Sequence, residues 1–347
     1  MIKSIVIATH VFSPGTSQAF RDYCLRKKMD VLFIGQPWHG NIFNWTLAAV
    51  NAFWQVIKTR KKFDLYVGSN RVNAFLGILL KKIGRIKKVI YFSPDWSEKR
   101  FSFWLASKIY LWLDYFCLKY SDLVWNSSAI MPFDPMMKAR EKRGYPRPWR
   151  SKQIQVPDGT DPFPFSSFDK IERFSIGFVG HLRKGMGLLL LVSAFAKIAR
   201  KIPRVKLLII GSGPLEEKLK KKAKGLNVEF TGFMGDLSLV YKRLSRCAIA
   251  AAPYQPDSIS QHSDPGKVKI YLGIGLPVII TKVPQVAWEI EKEKCGLTVR
   301  YNKDELVEAA VRLLKNEKML KKYRKSAYKL SKKYSWDNIF DRALSFL

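Results

Sequence analysis

The stretch HSDPGKVKIYLGIGLPVIITKVP, residues 262–284, joins a helix to a strand in a way that decides the fold class. Residues 264–266 (Asp-Pro-Gly) form a loop that places Lys267 at the start of a helix. Residues 275–277 (Gly-Leu-Pro) end that helix and lead into the apolar strand VIIT. A helix that leads directly into a buried strand is the repeating step of an α/β protein with a parallel sheet.

The same alternation of short apolar runs and helical stretches extends over the rest of the chain. In the first half the predicted strands are SIVIAT, VLFIG, DLYVGS, KVIYFS, DLVWNSS and IQVP. In the second half they are FSIGFVG, VKLLIIGSG, VEFTGF, AIAAAPY, LPVIIT and LTVRY. Each half therefore predicts its own parallel sheet covered by helices on both faces.

The length of 347 residues suits two domains, and the pattern breaks once. Residues 1–157 form the predicted first domain, and residues 158–171, rich in Pro, Ser and Asp, form a linker. Residues 172–330 form the second domain. Residues 331–347 carry a helix with one apolar face, which we expect to return to the first domain.

The formal net charge of +33 is the strongest anomaly of the composition. It favours a polyanionic partner: nucleic acid, an anionic membrane face or a phosphorylated substrate. A Lys-rich solvated surface is the alternative interpretation. The four cysteines are scattered without a C-x-x-C pair and no secretory signal is apparent, so we expect a reducing, cytoplasmic location. No run approaches the roughly 20 apolar residues of a membrane-spanning helix, and any membrane contact is expected to be peripheral.

Two helical stretches of the first half are unusually apolar. Residues 43–57 are apolar almost all round, with one narrow polar stripe, and residues 101–116 place large aromatic and aliphatic side chains on one face. Both are compatible with ordinary core helices. Both also suit a surface that faces lipid or an acceptor, because Trp and Tyr occur here beside Lys and Arg.

Glycine-rich loops follow two predicted strands of the second half. One extends from Gly180 to Gly185 and carries cations, and the other is GSGP at residues 211–214. Glycine lets backbone N–H groups approach a phosphate, and cations beside a helix start favour an anion. Such loops also occur as simple packing features. Since ligands gather at the carboxyl ends of parallel strands, both loops are expected at one sheet edge.

The order of these motifs resembles that of GT-B glycosyltransferases, in particular the glycogen-synthase-like superfamily of glycosyltransferase family 4, or group 1. The motifs GFVGHLRKG, LLIIGSGP, the DPGK loop with GLPVIIT, and YSWDNIF carry the resemblance over essentially the whole chain. It implies a GT-B fold of two Rossmann-like domains facing a cleft. It further implies transfer of a sugar from a nucleotide-diphospho-sugar, UDP- or GDP-linked, to a glycan or lipid-linked acceptor, without a metal or other cofactor.

The resemblance assigns the donor to the second domain and the acceptor to the first. Lys267, Arg183 and Lys184 would neutralise the donor diphosphate in place of a metal. Tyr254 would line the donor pocket, or else pack in the core. The full set of implied donor-binding residues is Gly180, His181, Arg183, Lys184, Gly185, Gly211, Ser212, Gly213, Tyr254, Asp264, Pro265, Gly266 and Lys267.

One departure from the family pattern concerns the ribose. The retaining members have two glutamates eight residues apart around the DPGK loop, and this chain has His262 and Ile270 there. An isoleucine cannot hydrogen-bond a ribose hydroxyl. Either Asp264 or a backbone group takes that role, or nucleotide affinity is reduced, or activity is lost.

A second departure concerns catalysis. Where those families have a His-Asp pair, this chain has Pro94-Asp95, and Asp95 is a candidate general base on an acceptor hydroxyl or a helix-capping residue. His10, after the first strand, is a second candidate for acid/base work, and His39 is expected on the acceptor side. Three other interpretations stay open: a degenerate non-catalytic homologue, a basic nucleic-acid-binding protein, and an epimerase or phosphorylase of the same architecture.

Overall fold

The computed structural model divides the chain into two compact units. The first contains Met1–Asp158 together with Trp336–Leu347, and the second contains Gly159–Ser335. The residues that the structure describes are 2–9, 15–35, 42–94, 103–127, 152–161, 163–164, 168–256 and 260–347. Elements are numbered below in chain order over these residues.

The first unit is built on a parallel sheet with the strand order β2-β1-β3-β4-β5-β6. Its strands are β1 (Ser4–Thr9), β2 (Asp30–Gly35), β3 (Phe63–Ser69), β4 (Ile86–Ser93), β5 (Leu123–Asn126) and β6 (Gln153–Gln155). Its helices are α1 (Thr16–Arg26), α2 (Ile42–Lys58), α3 (Arg71–Lys82), α4 (Trp104–Tyr120) and α12 (Trp336–Leu344).

The alternation of side chains along β1 separates the two helix layers of this unit. Ile5 and Ile7 belong to the core under α1 and α12, whereas Val6 and Ala8 belong to the core under α2, α3 and α4. The sheet is therefore buried on both faces, which explains why its strands read as nearly continuous apolar runs.

The second unit repeats this plan with the strand order β12-β11-β10-β7-β8-β9, again all parallel. Its strands are β7 (Glu172–Val179), β8 (Lys206–Ile210), β9 (Val228–Phe230), β10 (Cys247–Ala252), β11 (Val278–Thr281) and β12 (Gly296–Val299). Its helices are α5 (Leu188–Lys201), α6 (Glu216–Lys222), α7 (Leu237–Leu244), α8 (Gly266–Gly273), α9 (Val286–Lys292), α10 (Lys303–Lys315) and α11 (Glu317–Ser331).

The C-terminal segment differs in detail from the single helix expected over residues 331–347. Helix α11 ends at Ser331, and a short turn over Lys332–Tyr334 precedes α12. Ser335 between them is extended, and its backbone pairs with Thr160 of the segment expected as a linker. This pairing satisfies backbone groups that a continuous helix would have satisfied internally.

The strand order gives the second sheet a switch point between β7 and β10. The chain proceeds from β7 to β8 and β9 on one side, and from β10 to β11 and β12 on the other. The connections leaving β7 and β10 therefore diverge, and a crevice opens beyond their carboxyl ends. Ligands of open α/β sheets bind at such a point.

Candidate anion site at the switch point of the second sheet

Lys267 lies at this switch point. Its Nζ is 4.2 Å from the ring centroid of Phe178, near the end of β7, and 4.8 Å from that of Tyr254, just after β10. It is also 3.1 Å from the Sδ of Met186. The two strands that border the crevice thus each place an aromatic face against the same ammonium group, which cation–π attraction stabilises.

No carboxylate lies within ion-pairing distance of Lys267 among the residues that the structure describes. Burial, together with a smaller contribution from the positive charge of Arg183, lowers the pKa of Lys267 to about 7. A half-buried cation without an acidic partner is costly in a free protein, and perturbed groups of this kind cluster at functional sites. The arrangement is suited to an anionic ligand that supplies the missing charge.

The helix that carries Lys267 adds to this potential. Helix α8 begins at Gly266 after Pro265, and no side chain caps its first turn. The N–H groups of a first helical turn have no acceptor within the helix and carry partial positive charge. The N–H of Val268 donates to the carbonyl of Pro265 at 3.0 Å, and Lys267 and the positive end of α8 lie together at this edge.

The two glycine-rich loops approach each other at the same sheet edge. Gly180 has a φ of +138°, and a Cβ there would lie 3.2 Å from the Nζ of Lys267. Gly211 has a φ of +132°, and its Cβ would lie 2.1 Å from the carbonyl oxygen of Gly180. Only glycine fits both positions, which keeps backbone rather than side chains around Lys267.

Hydrogen bonds tie the two loops together. The carbonyl oxygen of Ser212 accepts from the backbone N–H of Leu182 at 2.9 Å and is 2.8 Å from Nδ1 of His181. The backbone carbonyl of Gly185 accepts from the N–H of Gln255 at 3.0 Å, next to Tyr254. The loop after β7 is thereby fixed on both sides, to the loop after β8 and to the segment after β10.

The structure brings most of the predicted donor residues to this edge but gives them different surroundings. Arg183 is half-buried and influences Lys267 electrostatically, whereas Lys184 and His181 are exposed. Tyr254 is buried in the core and contributes its ring face to Lys267. Both interpretations that the sequence left open for Tyr254, pocket lining and core packing, describe part of what is observed.

Asp264 is engaged in the buried part of the DPGK loop. Its Oδ1 lies 2.8 Å from Nζ of Lys269, and both side chains are buried. The same ammonium lies 4.0 Å from the ring centroid of Tyr334. Asp264 thus balances the charge of Lys269 and leaves the charge of Lys267 uncompensated.

Several contributors to the site were not singled out by sequence reasoning. Phe178 and Met186 contact Lys267, and the hydroxyl of Tyr271 accepts from the backbone N–H of Val179 at 2.9 Å. The sequence spacing could have identified two of these residues. Phe178 lies two residues before Gly180 on one face of a strand, and Tyr271 lies one helical turn after Lys267. Phe233, whose ring is exposed, follows Gly232, which accepts from the N–H of Gly211 at 2.8 Å.

Three residues predicted in the first domain lie outside the described residues: the catalytic candidates Asp95 and His10, and His39, which was expected on the acceptor side. Strand β1 ends at Thr9, and the described part of the chain resumes at Gly15. Ile270, which stands where relatives have a glutamate, packs half-buried against the apolar core of the second unit.

A protein family profile matches the part of the chain that contains this candidate site. Residues 173–316 match the profile of the family described as Glycosyl transferases group 1. The match covers the whole switch-point region, including both glycine-rich loops and Lys267.

A curated relative is the uncharacterised glycosyltransferase of Haemophilus influenzae, 27% identical over 194 residues. The alignment covers 54% of this chain and 53% of the relative, so the chain spans about half the length of that protein in the match.

Two solved structures show the fold. Anabaena HepE in complex with UDP superimposes with a TM-score of 0.72 at 16% identity, over 100% of both chains. Sucrose-phosphate synthase from Thermosynechococcus elongatus gives a TM-score of 0.77 at 15% identity, over 99% of this chain and 98% of that one. The predicted fold class is confirmed: two parallel six-stranded sheets with flanking helices, as in GT-B glycosyltransferases.

Proposed function

We propose that this chain, which has the GT-B fold and carries a Glycosyl transferases group 1 domain at residues 173–316, is a hexosyltransferase. It moves a sugar from a nucleotide-diphospho-sugar to a glycan or lipid-linked acceptor. The observation that carries the proposal is Lys267, a half-buried cation with no acidic partner in the described part of the chain, at the switch point of the second sheet.

The chemistry of transfer explains why a cation is needed there. Breaking the bond between the sugar C1 and the diphosphate oxygen leaves both bonding electrons on the nucleoside diphosphate, which gains one negative charge. Lys267, Arg183 and Lys184 stabilise this leaving group more strongly than the intact donor, which lowers the barrier. The backbone of Gly180, Gly185 and Gly266 approaches the phosphates. Under this proposal the reaction requires no metal.

The nucleoside end of the donor is assigned to the loop after β8. Gly211, Ser212 and Gly213 border the nucleoside, and the exposed ring of Phe233 offers a face on which a base can stack. Pro265 and Asp264 shape the DPGK loop, Asp264 through its ion pair with Lys269. HepE was solved with UDP and with UDP-glucose, which supports a UDP-sugar as the first donor to test.

The acceptor is assigned to the first unit. Asp95 as general base on the acceptor hydroxyl, or His10 in its place, remains a prediction from the sequence. We also propose a location on the cytoplasmic side, with peripheral contact to an anionic membrane.

A panel of UDP-, GDP- and ADP-sugars tests the proposal. We expect one nucleotide class to raise the melting temperature and to be turned over when acceptor extracts are added. Lys267→Ala should weaken its binding by about 1.5 to 3 kcal/mol, the range of a charge-assisted hydrogen bond. Lys224→Ala, an exposed lysine of the same unit, is the matched control and should bind as the wild type does. Unchanged affinity of Lys267→Ala, or no response to any donor, contradicts the proposal.

A non-catalytic homologue is the second candidate, favoured by Ile270. It predicts nucleotide binding without turnover or donor hydrolysis. Ile270→Glu distinguishes the two: a gain in nucleotide affinity with turnover still absent supports the non-catalytic function.

A further inference from the structure

Three helices of the first unit form one layer over its sheet. Helix α3 packs against α2 on one side and against α4 on the other, and all three cover the core that contains Val6 and Ala8. The surface of this layer that points away from the sheet carries exposed large apolar side chains on α2 and α4 and exposed lysines on all three helices.

Helix α4 buries Tyr110 and Leu118 against the core but exposes four other large apolar side chains. Trp104, Leu105, Ile109 and Trp112 are all exposed, and their spacing places them within one face of the helix. The only acidic residue of α4, Asp114, lies on the opposite, buried face. An ordinary surface helix keeps its large apolar side chains against the core and its acidic residues in water, so α4 departs from that pattern on both counts.

The other two helices continue the apolar surface. On α2, Leu47, Val50 and Trp54 are exposed at helical spacing. On α3, a stripe of half-buried side chains leads to exposed Ile83; the stripe is Val72, Phe75, Leu76 and Leu79. We call this surface, made of these residues of α2, α3 and α4, the outer face. The three tryptophans Trp54, Trp104 and Trp112 are 56%, 62% and 55% exposed, which is exceptional for so large a side chain.

Every exposed charge recorded on these three helices is positive. Neither α2 nor α3 contains an acidic residue, and Asp114 of α4 is buried in an ion pair with Arg71. The exposed cations are Lys58, Lys82, Lys108 and Lys119. Three of them lie over aromatic rings: Lys108 over Trp104, Lys82 over Phe116 and Tyr120, and Lys119 over Tyr120.

We infer that the outer face docks on an anionic phospholipid bilayer, with α2, α3 and α4 lying in the plane of the interface. Trp and Tyr beside Lys match a membrane interface, where rings enter the boundary of the acyl chains and ammonium groups reach the phosphates. Lysine is depleted in protein–protein interfaces, so the same surface suits a protein partner less well. The net charge of +33 adds long-range attraction to acidic lipid.

This docking is peripheral. Within the part of the chain that the structure describes, no helix is long and apolar enough to cross a bilayer. The inference rests on the proposed function only for its purpose, since a lipid-linked acceptor would be presented at that surface. Vesicle binding itself requires no turnover, so its failure would remove the proposed membrane contact and leave the proposed sugar transfer untouched.

Sedimentation with vesicles of phosphatidylcholine, with and without about one third phosphatidylglycerol, tests the inference. We expect binding to the anionic vesicles only, and quenching of tryptophan fluorescence by lipids brominated on their acyl chains. Trp54→Ser with Trp104→Ser should reduce binding by about tenfold or more, because two large apolar groups no longer leave water. Lys58, Lys108 and Lys119 changed together to Gln should reduce it by about 100-fold, at about 1 kcal/mol per cation.

Matched controls separate a specific face from general charge. Lys318, Lys322 and Lys325 changed together to Gln remove the same charge from exposed positions of α11. Trp288→Ser removes a tryptophan that is 73% exposed on α9 of the second unit. Both control variants should retain most of the wild-type binding to anionic vesicles. Since the substituted side chains are exposed, circular dichroism should confirm that all variants fold.

Three results would overturn the inference. The first is that the wild type does not bind anionic vesicles. The second is that the control variants lose as much binding as the outer-face variants. The third is that Trp54→Ser with Trp104→Ser binds as well as the wild type. Analytical ultracentrifugation without lipid tests a second copy as the occupant: a dimer that Trp54→Ser with Trp104→Ser dissolves would assign the outer face to self-association. Binding to an RNA homopolymer, abolished by the same lysine changes, would assign it to nucleic acid.

Discussion

The ammonium of Lys267 lies between two aromatic rings with no carboxylate nearby in the described part of the second unit, so its charge opposes folding. Removing that charge should stabilise the free protein while it weakens ligand binding. We expect Lys267→Met to raise the melting temperature by several degrees near neutral pH. The sign is worked out from the pKa, which is about 7 in the folded chain and about 10.5 when unfolded. Below pH 7 the penalty is fully present, and it disappears as pH rises from 7 to 10.5, because there the unfolded chain binds more protons.

Melting curves of the wild type and of Lys267→Met, recorded from neutral pH to about pH 10.5, test this prediction. The two melting temperatures should become equal at the alkaline end of that range. Equal or lower stability of Lys267→Met at neutral pH would mean that the lysine serves the fold rather than a ligand.

The pKa of Lys267 also predicts that the protein takes up protons when the donor binds. At pH 7 about half of the free molecules carry the proton, and a bound diphosphate favours the protonated form. Binding of a UDP-sugar should therefore take up about half a proton at pH 7 and about one above pH 8. In that alkaline range, the affinity of the protein for the UDP-sugar should fall by up to about tenfold per pH unit. The other charged or titratable groups that face Lys267 are Arg183 and Tyr254. Calorimetry in buffers of different ionisation enthalpy measures the uptake, and a value near zero at every pH would contradict it.

The contrast between Lys267 and Lys269 shows what the sequence could predict at the scale of a residue. The DPGK motif predicted Lys267 at the start of a helix, and α8 does begin at Gly266. The same motif did not reveal that Asp264 pairs with Lys269, two residues further on. Both lysines follow the loop, and only the packing of α8 decides which one faces the buried carboxylate.

At the scale of an element, the buried ion pair between α3 and α4 holds the helix layer of the first unit together. The Oδ1 of Asp114 accepts from Nε of Arg71 at 3.2 Å and from the hydroxyl of Tyr91 at 2.5 Å. Asp114→Ala should cost about 3 to 5 kcal/mol of unfolding free energy, because a buried arginine charge loses its counter-ion. The double change Arg71→Met with Asp114→Leu should recover most of that loss. Asp22→Ala, at an exposed pair with Arg21, is the control and should change little.

Denaturant unfolding of the wild type, Asp114→Ala, the double variant and Asp22→Ala tests this prediction. If the single Asp114 variant is as stable as the wild type, the pair does not hold the layer. If the double change recovers nothing, hydrogen bonding by Asp114 rather than charge balance is what matters.

The strands were predictable because both sheets are covered on two faces, which makes each strand a short apolar run between polar loops. The orientation of α4 was not predictable. Its sequence is apolar on so many sides that periodicity alone does not tell which face is buried. Asp114 misleads most, because an acidic residue is ordinarily expected on the exposed side, and its burial depends on Arg71 from another helix.

At the scale of the whole molecule, the chain leaves the first unit after Asp158 and returns to it at Trp336. Helix α12 completes the core of the first unit: the ring centroid of the buried Phe340 lies 4.9 Å from that of Phe20 and 6.2 Å from that of Trp125. The last helix in sequence is thus a structural part of the first unit. The apolar face of residues 336–344 predicted a packed helix, but its aromatic partners Trp125 and Phe20 are distant in the sequence and could not be identified from spacing.

Because α12 belongs to the first unit, substitutions in α12 allow the stabilities of the two units to be measured separately. Phe340→Ala should destabilise the first unit by about 3 to 5 kcal/mol, the usual cost of emptying a buried phenylalanine site. The proposed nucleotide site consists of residues of the second unit, so UDP-sugar affinity should stay within about twofold of the wild type at a temperature where both units are folded. Phe346→Ala, whose ring is 54% exposed, is the matched control and should leave unfolding unchanged. Differential scanning calorimetry with and without UDP-sugar should show an early transition that Phe340→Ala shifts and a second that the nucleotide shifts. A single transition moved equally by both would show that the two units unfold as one cooperative body, because each core then depends on the other.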